Sequence, residues 1–203
     1  MLEGLDRVDW KTLRHAYGAA DDVPELIRAL LSEDPAERKA ALRELFGNVY
    51  HQGTVYEASA YAVPFLMELL ASQSTPDRES VACLLASIAS GTGYFEVHAS
   101  DENAREKWQQ ILGKDGRSLK GELERERVVK EAVRLEAIKA LPLLVAFLSH
   151  HEPEVRMSIA SAFGAYPEQR ERYLPLLEVA LADETNDEVK EEIAEAVKRL
   201  EQV

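Results

Sequence analysis

One cysteine, Cys83, stands in 203 residues, inside the apolar run Val81 to Ile88. A lone thiol excludes an intrachain disulfide and a cysteine-based zinc site, and these neighbours make it a packing residue. No apolar run approaches the roughly 20 residues needed to cross a bilayer. Met1 to Asp9 is acidic, where a signal peptide is basic and then apolar. These absences point to a reducing, cytoplasmic setting without a membrane. Positive charge is scarce as well: 24 Lys and Arg face 37 Asp and Glu, a net of −13. Residues 1–100 hold 8 basic and 15 acidic side chains and residues 101–203 hold 16 and 22, so no tail, arm or half is basic. A polyanion meets repulsion from most directions, and counterion release drives no binding without a local patch. Nucleic acid is therefore a disfavoured partner. Catalytic-triad motifs, a P-loop, a dinucleotide fingerprint and H-E-x-x-H are missing too, so no enzyme and no cofactor are expected.

What the chain does have is repetition. The spacing P-x-L-x-x-x-L occurs at Pro24/Leu26/Leu30, Pro64/Leu66/Leu70, Pro142/Leu144/Leu148 and Pro175/Leu177/Leu181. In the first three copies an arginine follows the proline by fourteen residues, at Arg38, Arg78 and Arg156. Recurrence at this spacing predicts an all-α solenoid of antiparallel helix pairs forming one domain over residues 1–203.

Asp9 predicts a short helix through Tyr17 that Gly18 ends. Asp22-Val-Pro-Glu25 predicts a capped helix with Leu26, Ile27, Leu30 and Leu31 as its buried stripe, and Asp34-Pro-Ala-Glu37 predicts another to about Phe46. The second unit reads as helices at about 55–72 and 76–90, with Pro64 causing a kink or a break near Ala62. Periodicity lapses between about residues 91 and 126, with a short helix at Ala104–Leu112. This stretch reads as an insertion or a degenerate repeat. The 40-residue step from Pro24 to Pro64 against 78 from Pro64 to Pro142 suggests a whole repeat decayed or replaced. Tyr94, Phe95 and Trp108 imply that it folds back onto the solenoid, while the mixed-charge segment Lys120 to Lys130 reads as solvated. Helical pattern returns near Leu119 and runs to Ala140. Further helices are expected at about 142–149, 153–165, 167–182 and 187–202, the last capped from Thr185-Asn-Asp-Glu188. The segment from Pro142 to Leu148 is apolar all round, either buried between neighbours or partly lining a docking surface.

The starts Ser-Glu-Asp-Pro-Ala-Glu-Arg38 and His-Glu-Pro-Glu-Val-Arg156, each paired with a proline-bearing helix, resemble the HEAT repeats of the armadillo-type superfamily. Lys190 replaces the arginine in the last unit, and Arg78 follows Pro76 by two residues rather than three. The likeness covers most of the chain outside about residues 91–126. His-Ala-Tyr-Gly18 with Asp-Val-Pro24, and His51-Gln-Gly-Thr-Val-Tyr-Glu-Ala58, are similar to a group of bacterial HEAT-repeat proteins, some of which are thought to neutralise toxins of polymorphic toxin systems. The resemblance implies a superhelical fold that binds other macromolecules, and no catalytic residues carry over.

Candidate partner-binding residues are His51, Gln52, Thr54, Tyr56 and Glu57, which gather polar and aromatic groups between helices without an apolar period, joined by His15 and Tyr17 beside Gly18. The same residues also read as plain structure, with Thr54 and Glu57 forming a capping box, Gly53 a permissive link, and His15 suiting a helix C-terminus. His150-His151-Glu152 lies in a tight turn where adjacent side chains diverge, so no metal is expected. The expectation is a protein-binding module without chemistry of its own, of the inhibitor or immunity kind, for a basic protein drawn by the −13 field. The other class is an enzyme on a HEAT-like fold, either a DNA glycosylase of the alkylation-repair kind, which needs a basic groove, or a bilin-lyase-like small-molecule binder.

Overall fold

A computed structural model describes residues 1–202. Helices open where the sequence supplies an acceptor for the free N–H groups of the first turn. The Asp34 side chain accepts from Ala36 N–H at 2.8 Å to start α2 (Pro35–Asn48), and Asp101 accepts from Ala104 at 2.8 Å to start α6 (Glu102–Gly113). Ser118 caps α7 (Leu119–Ala137) and Asn186, from the expected Thr185–Glu188 stretch, caps α11 (Asp187–Glu201). Prolines fall both at helix starts, in α1 (Val23–Ala29) and α9 (Pro153–Gly164), and inside helices. Both α3 (Glu57–Ala71) and α10 (Arg170–Asp183) continue through theirs, so α3 does not break near Ala62. The next helix, α4 (Arg78–Ala89), starts two residues later than expected because Asp77 adopts a left-handed φ of 47°.

These helices stack in two layers. In one, α2, α4, α9 and α11 follow one another; in the other, α1 packs on α3 and α3 on α7. The stretch expected as a single helix at 142–149 is instead α8 (Leu141–Leu144) followed by a 3-10 turn, Val145–Phe147. Its Leu141, Leu144, Phe147 and Leu148 are buried between neighbours, while Pro142 and Ala146 face solvent. The fold is thus an all-α solenoid of helix pairs, with α8 and its 3-10 continuation packed on α9. The core runs unbroken from Leu5 to Leu200 and includes a stacked Phe163–Tyr173 pair with ring centroids 4.4 Å apart.

Between α4 and α7 the chain leaves the stack to form α5 (Tyr94–His98) and α6. Because α4 packs directly on α9, no decayed repeat separates them, and the long step from Pro64 to Pro142 comes from this excursion plus the length of α7. The excursion has an apolar cluster of its own: Phe95, Ala99, Leu112 and Leu119, covered by Tyr94, Trp108 and Leu123. It is tied back through Glu126, whose carboxylate accepts from the N–H groups of Phe95 and Glu96 at 2.8 and 3.2 Å. Burial pushes the Glu126 carboxyl above its ordinary value, against the pull of those donors.

The recurring arginine has a common structural task. Arg38 Nη1 donates to Ser32 O at 3.0 Å while its Nε reaches Asp77 at 2.7 Å, just ahead of α4. Arg156 repeats this, donating to His150 O at 2.7 Å and gripping Glu184, ahead of α11, at 2.7 and 2.8 Å. Arg78 holds Leu70 O at 3.0 Å and Gln73 at 2.9 Å. Each closes carbonyls left free near the end of the preceding helix, and two of them also clamp the next pair. The Lys190 ammonium, by contrast, lies 4.0 Å from Asp187, a neighbour on its own helix. Among the described residues no helix is long and apolar enough to cross a membrane.

Candidate functional site

The expected helix from Asp9 to Tyr17 does not form. A 3-10 turn, Trp10–Thr12, is all the helix in that span; a second, Leu5–Arg7, precedes it, and the Trp10 indole N–H joins the two by donating to Leu5 O at 2.9 Å. The chain then turns back as a hairpin, β1 (Arg14–His15) with β2 (Gly18–Ala19). A second hairpin, β3 (Tyr50–His51) with β4 (Thr54–Val55), fills the link between α2 and α3. Its two-residue turn has φ of 49° at Gln52 and 91° at Gly53, the all-positive geometry that matches strand twist and favours glycine in second place. Thr92 adds a third piece of strand, accepting from Val55 N–H and donating to Gly53 O, both at 2.9 Å.

The two hairpins touch. Ala16 N–H donates to Asn48 O at 3.0 Å, and the Tyr17 ring meets His51 edge-on, centroids 5.3 Å apart, with its hydroxyl 3.4 Å from His51 Nδ1. Behind them Asp22 joins three elements: its Oδ1 lies 3.1 Å from His15 Nε2 and its Oδ2 accepts from Asn48 Nδ2 at 2.6 Å. Tyr17 N–H donates to His15 Nδ1 at 3.0 Å, which makes Nδ1 the acceptor nitrogen and leaves Nε2 to carry the proton toward Asp22. Asp22 therefore does not cap α1, which starts without a side-chain cap. His15 is buried in a strand, so it serves no helix dipole.

The expected capping box of Thr54 and Glu57 is also absent. α3 begins after Tyr56, whose N–H donates to Ser59 Oγ at 2.7 Å. Thr54 Oγ1 donates to His51 O at 2.7 Å and so accepts from the Tyr56 hydroxyl, also at 2.7 Å. Burial pushes the Tyr56 hydroxyl above its ordinary value, with the Thr54 bond opposing. Glu57 accepts from Arg14 N–H at 3.1 Å, tying the first hairpin to the start of α3.

His15, Tyr17, His51, Gln52, Thr54, Tyr56 and Glu57 thus come together at the α2–α3 junction, with two distinct jobs. His15, Thr54 and Tyr56 face inward and hold the hairpins; Tyr17, 70% exposed, shows the outer surface with Gln52, Glu57 and the half-buried His51. Sequence reasoning missed Asp22, Asn48, Ser59 and Thr92 as parts of this framework. Removing the Asp22 carboxylate leaves the His15 Nε2 and Asn48 Nδ2 donors of two buried side chains without their acceptor, so Asp22→Ala is expected to cost about 1–2 kcal/mol. Urea unfolding checks it, and an unchanged midpoint would show that the hairpins hold without this link. Among the described residues no group of three or more His, Cys, Asp and Glu is placed to hold a metal ion.

The arrangement defines a helical repeat scaffold bearing two short hairpins at one junction. A family model for HEAT repeats matches residues 122–198, from α7 through most of α11. Among solved structures, an engineered protein from the Northeast Structural Genomics Consortium is 24% identical, with 89% of this chain and 79% of that one covered and a TM-score of 0.40. A designed armadillo repeat protein is 21% identical, with 88% and 99% covered and a TM-score of 0.28. No curated protein matches the chain.

Proposed function

We propose that the protein is a non-catalytic protein-binding module of the inhibitor or immunity kind, contacting a basic partner through the paired hairpins. The observation that carries this reading is the division of labour at the α2–α3 junction, where inward-facing bonds fix a small aromatic and polar surface. Tyr17 is held by its own N–H on His15 and by His51, an exposed aromatic with little freedom to lose on binding. The −13 charge favours encounter with a cationic protein. The likeness of the His-Ala-Tyr-Gly18 and His51–Ala58 segments to bacterial HEAT-repeat proteins connected with toxin neutralisation agrees with such a partner.

The test is affinity capture of tagged protein from its native lysate at low and high salt, with mass spectrometry and a nucleic-acid assay of the eluate. One stoichiometric basic protein, weakened by salt and lost with the combined replacement of Tyr17, His51 and Gln52 by alanine, is the expected result. Those three are outer residues, and the fourth, Glu57, is kept because it holds Arg14 N–H, so the triple variant leaves the Thr54–Tyr56, Glu57 and Asp22 links in place. Nucleic acid or a small chromophore in the eluate would overturn the reading.

A further inference from the structure

A second exposed surface lies along α3 and α7, away from the hairpin tips. Side chains of Tyr61, Pro64 and Phe65 on α3 face Ala132, Leu135 and Glu136 on α7 across a groove of about 450 Å³, with Val8 also in its wall. Tyr61 and Leu135 are 49% and 58% exposed, and Val128, 57% exposed, extends the apolar stripe of α7 through Ala132 to Leu135 at helical spacing. Such residues side by side on two packed helices form a patch, which single exposed apolar residues do not.

Charge around the groove indicates the occupant. On α3 the exposed stripe starts at Glu57 and ends at Glu68, with no basic residue in the helix, and Glu68 is held by the Met1 amino group at 3.6 Å and the Leu2 N–H at 2.8 Å. On α7 the exposed Glu131 makes no direct ion pair among the described residues, whereas Arg127 is held by Glu124 at 2.8 Å and Arg134 by Glu168 at 2.6 Å. Lys139, just beyond α7, is held by Glu136 at 2.7 Å. The turns beside Val8 carry Glu3, Asp6 and Asp9 against Arg7 and Lys11, and Asp6 is held by Arg28. The groove is therefore apolar at its floor, and Glu57 and Glu131 are bordering carboxylates without a direct ion pair among the described residues, on a molecule of charge −13.

We propose that this groove docks a cationic, apolar-anchored segment of a second protein: an aliphatic or aromatic side chain enters between Tyr61 and Leu135, and flanking lysines or arginines meet Glu57 and Glu131. The proposal rests on reading the chain as a protein-binding module, and it adds a groove that excludes Tyr17 and His51, with Glu57 at the border between the two surfaces. Burial of the anchor supplies affinity, and the carboxylates select the sign of the partner.

The test is an NMR titration of the isotopically labelled full chain with two model amphipathic helical peptides, identical in their leucines and bearing lysine or glutamate on the polar face. The lysine peptide is expected to shift amides at residues 60–65 and 131–136. The glutamate peptide should bind at least tenfold more weakly. Leu135→Asp, at an exposed position and checked for folding by thermal melting, should weaken the lysine peptide at least tenfold, and Glu57→Lys with Glu131→Lys severalfold. Equal binding of both peptides, shifts centred elsewhere, or indifference to Leu135→Asp overturns the proposal. Concentration-dependent shifts of the same amides without peptide, abolished by Leu135→Asp, overturn it in favour of a second copy of the chain. Because peptides replace the native partner, failed capture from lysate with a positive titration sinks the hairpin reading alone. The reverse pattern sinks the groove alone.

Discussion

Replacing Arg156 with methionine is expected to lower the unfolding free energy by about 3 kcal/mol, the range for breaking an ion pair whose surviving partner stays buried. The Glu184 side chain is only 5% exposed and would keep a charge without its guanidinium, while the carbonyls of His150 and His151 would lose their donor. The equivalent change at Arg38 should cost nearer to 1 kcal/mol, because its partner Asp77 is 49% exposed and water takes over. Chemical denaturation of both variants checks the contrast, and equal losses would mean that the carbonyl contacts, common to both, set the cost. The Arg156 guanidinium, helped by the N–H groups of Asn186 and Thr185, holds the Glu184 carboxyl down at about 2. A folded value below the unfolded one, about 4.3 for glutamate, stabilises above that unfolded value. This contribution is lost as pH falls from about 4.3 through about 2. Glu184→Gln should therefore start less stable at neutral pH and show a flatter acid limb over that window.

Gly164→Val is the second change with a large expected effect, about 2–3 kcal/mol from overpacking. A Cβ at Gly164, the last residue of α9, would lie 2.8 Å from Ala196 Cα and 2.9 Å from Ala196 Cβ on α11. Backbone cannot rotate out of the way as a side-chain tip does, so the two helices would have to part. Gly113→Val is the control, since a Cβ there meets nothing within 4 Å. Thermal unfolding of the pair should give a clear drop for the first and little change for the second. Similar melting points would mean that α11 shifts at little cost.

The helical stack was legible because its signals are periodic and local: proline followed by leucines, and an acid ahead of Pro35 and of Pro153 with an arginine after. The hairpins were not, because strands of two residues are too short to show alternation. Gln52-Gly53 between Tyr-His and Thr-Val was the available clue, a two-residue turn that glycine permits. Asp22 stood in a good capping pattern, yet its carboxylate went to His15 and Asn48, and Asn48 is remote in sequence. The candidate residues were found as a group, but their separation into inward ties and outward surface depends on which way each side chain turns. The groove along α3 and α7 was hidden for another reason: it joins two helices separated by the whole excursion, and Tyr61 and Leu135 read individually as ordinary helix residues.

The direct packing of α4 on α9 carries a consequence for how the molecule assembles. The pairs α1–α2, α3–α4 and α10–α11 join neighbours a few residues apart, which close cheaply, whereas this contact spans the chain from Ala89 to Pro153. Loop closure makes it among the slowest contacts to form. The two halves on either side hold their own helix pairs, so the α4–α9 contact is a kinetic seam. Docking of α7 on α3 and α4, with Glu126 and Thr92 tying down the start of the excursion, shortens the effective loop that this seam has to close.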